Sequence, residues 1–196
     1  MREFKTGERL KRIMDTVSAR QFSLRVVMEN IHDPHNVSAV FRTCDAVGVP
    51  KISLLYTIES FPKISKTSSS SANKWIETEK HTSADSCFDL LRNEGFKVYA
   101  SMLNKNAVSL FDIDFTKKIA LVFGNEKRGV SHEAELLADE TFYIPMRGMI
   151  QSLNVSVAAA VALYEASRQR NEKGMYSRSE LSNGELEQLI DLWCKK

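Results

Sequence analysis

The sequence contains little cysteine and no long hydrophobic run. Its three cysteines, Cys44, Cys87 and Cys194, lie far apart and form no C-x-x-C pair, which is typical of proteins from a reducing cytosol. No apolar stretch reaches the roughly 20 residues that a transmembrane helix needs. The opening MREFKTGERLKRIM also lacks the apolar segment of a signal peptide. We therefore expect a cytoplasmic protein with no membrane partner.

Several common signatures of catalytic and nucleotide sites are also missing. The chain has no G-x-G-x-x-G after its first predicted strand, no G-x-x-x-x-G-K-[ST] and no G-x-S-x-G, which argues against the standard sites that these motifs form. His32 and His35 suggest a metal site, but only Asp33 accompanies them, and a metal ion needs three or four ligands. We expect no metal, and we interpret the histidines as loop or RNA-contact residues.

The formal net charge of +2 is too small to indicate a partner, so the distribution of charge matters more. Near the N-terminus, apolar residues recur at helical spacing and the opposite face is basic. A second basic cluster follows residue 167, and the chain ends in another amphipathic helix pattern. These basic faces are either ordinary solvated surfaces or sites of phosphate contact.

Between these ends, apolar runs of strand length alternate with helical patterns. Strands are predicted at 24–28, 51–56, 75–80, 97–102, 119–123 and 141–144. The repeated strand-then-helix order predicts an α/β fold with a largely parallel sheet. Asn36 is predicted to cap the helix after the first strand, because Pro34 should keep the residues before it out of that helix.

The segment 144–166, IPMRGMIQSLNVSVAAAVALYEA, joins a polar elbow to a helix that is apolar on every face. The helix is too short to span a bilayer, so we expect it in the core or at a subunit interface. Its elbow contains Gln151, Ser152 and Asn154. Open α/β folds place ligands at such elbows, because free backbone N–H groups point out of a helix start.

Two further loops are candidates for ligand contact. Gly124 and Gly129 bracket the turn GNEKRGV, in which the backbone can approach a ligand closely. The segment 63–75, KISKTSSSSANKW, is basic and serine-rich. It is either a flexible surface linker or an RNA contact in which lysines bind phosphate and Trp75 stacks on a base.

Three segments together resemble a known family. NIHDPHNVSAVFRTCDAVGV at 30–49, IALVFGNEKRGVS at 119–131 and the segment 144–166 resemble the three motifs of the SPOUT RNA methyltransferases, 2'-O-ribose branch. The basic ends and the loop SSSSANKW are similar to those of the TrmH subgroup, the tRNA guanosine-18 2'-O-methyltransferases. The resemblance implies a single α/β core at 22–167 with a C-terminal trefoil knot, a basic N-terminal helical arm at 1–21 and a basic C-terminal helical extension at 168–196.

The resemblance also implies S-adenosylmethionine as cofactor, tRNA as partner and a homodimer. The residues that match the family's catalytic positions are Asn36, Arg42, Glu126, Ser152 and Asn154. Those that match its cofactor pocket are Met102, Leu103, Gly124, Ile144, Met149, Ser152 and Leu153. The basic residues that we assign to RNA contact are Arg9, Arg12, Arg20, Lys74, Arg168, Arg170 and Arg178.

The expected reaction is methylation of a ribose 2'-hydroxyl, with guanosine 18 in the tRNA D-loop as the first candidate. Another tRNA position or a ribosomal RNA is an alternative target, and RNA binding without catalysis is an alternative from another class. Two roles are open for Arg42. The family's counterpart is held to act as a general base, but a guanidinium stays protonated and has no acceptor. Clamping phosphate and ribose and stabilising the developing negative charge suits its chemistry better.

Overall fold

The computed structural model describes residues 2–62 and 72–196, so residues 63–71 of the predicted serine-rich loop lie outside the described part. The strands are β1 (Leu24–Glu29), β2 (Lys51–Leu55), β3 (Glu77–His81), β4 (Lys97–Ser101), β5 (Val108–Ser109), β6 (Ile119–Phe123) and β7 (Glu140–Tyr143). They form one sheet of order β3-β2-β1-β6-β4-β7-β5, in which every pair is parallel. The predicted α/β class and parallel sheet are confirmed, whereas the trefoil knot stays a prediction.

The α-helices are α1 (Gly7–Ser18), α2 (Pro34–Ala46), α3 (Ala84–Asn93), α4 (His132–Leu137), α5 (Val155–Glu172) and α6 (Asn183–Lys195). Helix α2 begins earlier than predicted. Asp33 is its N-cap and accepts a hydrogen bond from the His35 N–H at 2.8 Å, with Pro34 in the first turn. Proline suits that position because its missing N–H would be unpaired there anyway. The prediction that Asn36 is the cap is therefore wrong, and its amide is left to reach another loop.

The central strand β6 separates two hydrophobic layers. Its alternate residues Leu121 and Phe123 face the layer that contains α2 and α5, while Ala120 and Val122 face the layer that contains α3 and α4. All five residues of β6 are buried, as both faces of a parallel sheet covered by helices require. The loops at the carboxyl ends of the strands are thereby fixed by a packed core.

Helix α5 is buried on one side only. Ala159, Ala162 and Ala166 are fully buried in the layer shared with α2, where small side chains allow a close approach of the two helices. On the opposite side, Val157 and Tyr164 are 47% and 59% exposed. The predicted core position is correct for one face, and Val157 and Tyr164 on the other face are not covered by residues 2–62 or 72–196.

The two ends of the chain pack against each other. Helices α1 and α6 share an apolar cluster in which Ile13, Val17 and Ile190 are buried, and Trp193 lies 4.6 Å from the Trp75 ring, centroid to centroid. Helix α5 continues through residue 167, so the predicted boundary between the core and the C-terminal extension falls inside a helix. Among residues 2–62 and 72–196, no helix is long and apolar enough to cross a membrane.

Two arginines predicted to contact RNA are buried in the protein. Arg20 is 1% exposed; it pairs with Asp45 and donates to the Val49 carbonyl oxygen at 3.1 Å. Arg170 is fully buried; it donates to the backbone carbonyl oxygens of Ser23 and Lys117 at 3.1 and 2.9 Å. A guanidinium enclosed by protein acceptors cannot bind a phosphate at the surface, so the RNA assignment of both residues is wrong. Arg20 instead connects the segment after α1 to the residues before β2. Arg170 connects α5 to the residues before β1 and β6.

Candidate active site at the carboxyl ends of the strands

The loop after β1 is held by an asparagine in an unusual conformation. Asn30 has a positive φ of 49°, which asparagine tolerates better than most residues with a Cβ atom. Its side-chain oxygen accepts the N–H groups of Thr57, Ile58 and Glu59 at 3.0, 3.0 and 3.1 Å. The loops after β1 and β2 are thereby joined. Asn30 was not predicted as a site residue, although an asparagine directly after a buried strand was the available signal.

The turn after β6 is built around Asn125. Its side-chain oxygen accepts the N–H groups of Lys127 and Arg128 at 3.0 and 3.2 Å, and its amide donates to the Asn30 carbonyl oxygen at 2.7 Å. A Cβ atom at Gly124 would lie 2.2 Å from the Gly129 carbonyl carbon and the Val130 nitrogen. Only glycine fits this position, because both neighbours are backbone atoms that cannot rotate away.

Three of the five predicted catalytic residues form one chain of hydrogen bonds. The Asn36 amide donates to the Glu126 carboxylate at 2.9 Å. The Asn154 amide donates to the Asn36 side-chain oxygen at 3.1 Å, and the Asn154 oxygen caps α5 by accepting the Ser156 N–H at 2.9 Å. The three loops that carry the sequence motifs therefore meet at one edge of the sheet, where ligands bind in open parallel sheets.

The Glu126 carboxylate accepts three hydrogen bonds. Two of them come from the backbone N–H groups of His32 and Asp33, at 3.0 and 3.1 Å. Burial acts to raise the pKa of Glu126, but the hydrogen bonds from Asn36 and from the backbone outweigh it and hold the pKa below its usual value. The carboxylate therefore stays ionised at neutral pH, and its three hydrogen bonds connect the loops after β1 and β6.

Adjoining cavities open beside this network. One of about 540 Å³ is lined by the predicted residues Met102, Leu103, Ile144, Ser152 and Leu153. A neighbouring cavity of about 530 Å³ includes Gly124 and shares Ser152 and Leu153. A third, of about 460 Å³, lies over Asn36, Glu126 and Asn154. Volumes of a few hundred Å³ are typical of sites for small molecules and nucleotide cofactors.

Comparisons with known proteins agree with this arrangement. A model of the SpoU rRNA Methylase family matches residues 23–164, which include the first two motif segments and all but the last two residues of the third. This chain belongs to that family. The tRNA (guanosine(18)-2'-O)-methyltransferase of Thermus thermophilus is 44% identical to this SpoU methylase over the full length of both chains. The family predicted from the motifs is confirmed.

Solved structures extend the comparison. The crystal structure of the A. aeolicus TrmH/SpoU tRNA modifying enzyme covers 95% of this SpoU methylase and 94% of its own chain, with a TM-score of 0.88 and 42% identity. The SpoU methyltransferase AviRb from Streptomyces viridochromogenes, in complex with the cofactor AdoMet, has a TM-score of 0.69 and 26% identity over 79% of this chain and 62% of its own.

Two predicted site residues of this SpoU methylase lie apart from the cavities. Arg42 follows Asn36 by six residues, which places it about 9 Å farther along α2. It is exposed and forms no hydrogen bond or ion pair within residues 2–62 and 72–196. Met149, predicted in the cofactor pocket, is 100% exposed and does not line the cavity. Neither residue joins the site within a single chain.

Arg128 and Glu59 were not predicted as site residues, yet both line cavities of this SpoU methylase. Arg128 borders all three cavities, and its guanidinium donates to the Glu59 carboxylate at 2.7 Å. The available signal for Arg128 was its place inside the GNEKRGV turn.

No group of three or more His, Cys, Asp or Glu residues in the described part of the chain could hold a metal ion.

Five of the residues assigned to RNA contact have exposed side chains. They are Arg9, Arg12, Lys74, Arg168 and Arg178. The Arg168 guanidinium forms ion pairs with Glu165 and Glu172 of its own helix. The Lys74 ammonium group donates a hydrogen bond to the Lys196 carbonyl oxygen. Arg9 and Arg12 border a cavity between α1 and α6. The Arg9 guanidinium lies 5.4 Å from the centre of the Trp75 ring. Arg12 and Arg178 are the two of the five whose charged groups form no hydrogen bond, ion pair or ring contact within residues 2–62 and 72–196.

Proposed function

We propose that this protein transfers a methyl group from S-adenosylmethionine to the ribose 2'-hydroxyl of guanosine 18 in tRNA. The observation that carries the proposal is the 44% identity to the T. thermophilus enzyme over the whole of both chains. The correspondence therefore includes both helical arms as well as the motifs. The protein acts in the cytoplasm, where its substrate tRNA is found.

The cofactor binds in the cavity lined by Met102, Ile144 and Leu153. When bound, S-adenosylmethionine supplies a methyl group on a positively charged sulfonium sulfur. Apolar side chains suit its adenine ring, and the elbow before α5 offers backbone groups for its polar atoms. The fit is supported by AviRb, a family relative whose complex contains this cofactor. Gly124 and Ser152 border the adjoining cavity toward the target ribose.

The network of Asn36, Glu126 and Asn154 positions the reacting groups. Methyl transfer forms a bond from carbon to the ribose oxygen and breaks the bond from carbon to sulfur, while the hydroxyl proton leaves to phosphate or water. Glu126 is a poor acceptor for that proton, because three donors already occupy most of its lone-pair sites and hold its pKa below the usual value. Its role is to fix the loop edges against which the ribose rests.

Arg42 acts on the substrate through a homodimer. Its side chain is exposed on α2, and the outer face of α5 presents Val157 and Tyr164 to solvent. A second copy that covers this apolar face would bring Arg42 to the partner's cavities, where its fork clamps phosphate and stabilises negative charge. In this assembly residues 22–167 are the methyltransferase core, while residues 1–21 and 168–196 are arms that contact tRNA.

The decisive experiment is methylation of bulk tRNA and ribosomal RNA with labelled cofactor, followed by mapping of the methylated ribose. We expect label in tRNA at guanosine 18, and no label in a transcript that carries 2'-deoxyguanosine there. Label at another tRNA position or in ribosomal RNA would assign the alternative targets. No cofactor binding in a calorimetric titration would favour an RNA-binding protein without catalysis.

A further inference from the structure

A bridge of three side chains spans the loops above the Asn36–Glu126 cavity. One Glu59 oxygen accepts the Arg128 guanidinium at 2.7 Å, and the other lies 3.1 Å from His32 Nδ1. Glu59 follows β2, His32 follows β1 and Arg128 follows β6, so one carboxylate joins all three loops. The Arg128 side chain is 50% exposed, whereas that of Glu59 is 23% exposed.

Arg128 occupies the boundary between the cavities. It lines the cavity over Asn36, Glu126 and Asn154 together with Glu59 and Lys127, and it also lines the cavity that we assign to the cofactor. The Asn125 side chain fixes the Arg128 backbone by accepting its N–H at 3.2 Å. The guanidinium therefore stands on a rigid turn, at the point where a ribose would approach the cofactor.

The charges of this cavity conflict with an RNA substrate in its present arrangement. A nucleotide inside a chain brings a phosphate on each side of its ribose, and Glu59 adds a carboxylate to the same cavity. The hydrogen bond from Arg128, followed by that from His32, lowers the pKa of Glu59, so it is ionised at neutral pH. Lys127 and Arg128 are the lysine and arginine that line this cavity, and only the Arg128 guanidinium is paired with Glu59.

We propose that Arg128 is a substrate-positioning residue that binds a phosphate beside the target ribose, and that Glu59 holds the guanidinium in place until RNA displaces it. This inference rests on the proposed function, since it requires an RNA substrate at this cavity. The exchange is favourable because an exposed carboxylate–arginine pair is weak, whereas arginine binds phosphate through two parallel hydrogen bonds. No motif resemblance assigned a role to Arg128 or to Glu59.

The test measures tRNA affinity and cofactor affinity separately in Arg128→Ala, Arg128→Lys and Glu59→Gln. Loss of one charged contact should weaken tRNA binding by about tenfold in Arg128→Ala. It should also reduce the slope of log K against log salt by about 0.7 to 0.9. Arg128→Lys should keep the slope, because the charge is retained, but lose the fork and raise KM. S-adenosylmethionine affinity, measured by calorimetry, should change much less than tRNA affinity in all three.

Glu59→Gln should tighten tRNA binding by about two- to fivefold, because it removes the weak competing pair. In the double variant with Arg128→Ala this gain should be smaller, because no guanidinium remains to be released and only the repulsion by Glu59 is removed. Arg92→Ala is the matched control, since Arg92 is also ion-paired, with Asp139 just before β7 at the other end of the sheet. It should leave the salt slope unchanged.

Three outcomes would overturn the inference. They are an unchanged salt slope in Arg128→Ala, a loss of cofactor affinity equal to the loss of tRNA affinity, or weaker tRNA binding in Glu59→Gln. The second would assign Arg128 to the cofactor's carboxylate instead.

Failure of the proposed function is distinct: the wild-type protein would bind tRNA with the expected slopes yet place no methyl group on guanosine 18. Arg128→Lys and Glu59→Gln preserve size, so the test does not depend on the folding of the alanine variant.

Discussion

Glu126 illustrates how a charged side chain can serve a reaction without exchanging protons. It accepts hydrogen bonds from Asn36, His32 and Asp33, which leaves little capacity for a fourth proton donor. The same bonds make it the point at which the loops after β1 and β6 are joined. Its importance for activity then lies in geometry, and this can be separated experimentally from acid–base chemistry.

We predict that Glu126→Gln lowers kcat by about 10²-fold, because an amide nitrogen would face backbone donors and shift the loops. The depressed pKa of Glu126 means that its stabilising bonds are present above its ordinary pKa of 4.5 and are lost as the pH falls through the lower folded value. The difference in Tm between wild type and variant should therefore be largest at neutral pH and shrink in acid. A pH–rate profile that loses a near-neutral pKa in the variant would instead identify Glu126 as a base.

Gly124 is the position at which a single methyl group should do most damage. Its added Cβ would approach backbone atoms of the turn at 2.2 Å, so the turn must open. We predict that Gly124→Ala destabilises the protein by about 3 kcal/mol or more, as measured by denaturant unfolding, and abolishes activity. Gly7→Ala is the control, since nothing lies within 4 Å of its added Cβ. Equal stability of the two variants would contradict the crowding argument.

Helices α1 and α6 form a unit that depends on one aromatic contact. Trp193 is 5% exposed and packs against the ring of Trp75. We predict that Trp193→Ala costs about 3–5 kcal/mol within this unit. Hydrogen exchange should show faster exchange in α1 and α6, while β1 and β6 keep their protection. Leu192→Ala, which alters a side chain that is 51% exposed on the same helix, should change little. Equal loss of protection in the central strands would show that the arms and core unfold together.

The sequence predicted those elements whose own residues determine them. Strand β6 was recognised because all five of its residues are apolar, and α3 because Ser83 and Gly95 mark its ends. The start of α2 was predicted wrongly because Asp33, Pro34 and Asn36 are all common at a helix N-terminus. Local preferences alone do not show which of them caps the helix. Strand β5 was missed because two residues carry no periodicity.

Site residues that belong to a sequence motif could be predicted. Residues whose burial or pairing depends on contacts with distant parts of the chain could not. Asn36, Glu126 and Asn154 were assigned from the motifs, and the structure brings them into contact. The burial of Arg170 depends on Ser23 and Lys117, and no local pattern distinguishes it from the exposed Arg168. The ion pair of Arg128 with Glu59 is equally nonlocal.

The molecule as a whole should bind RNA through its exposed guanidinium groups and not through its buried ones. We predict that Arg9→Ala combined with Arg12→Ala weakens tRNA binding and lowers the salt slope by about 0.7 to 0.9 for each lost phosphate contact. The cofactor affinity and Tm should be retained. Arg170→Ala should instead lower Tm strongly, because it leaves buried carbonyl oxygens without a donor. An unchanged salt slope in the double variant would exclude α1 from the RNA-binding surface.

The strand order determines when this protein can fold during its synthesis. Strand β1 pairs with β6, which leaves the ribosome much later, and β6 in turn pairs with β4 on its other side. Until β6 emerges, the nascent chain displays β1 and β4 with unpaired edges, which are templates for aggregation. Pairing over such long sequence separations is also slow. Strands β1, β2 and β3 can pair early, but the two halves of the sheet can join only after β6 has been translated.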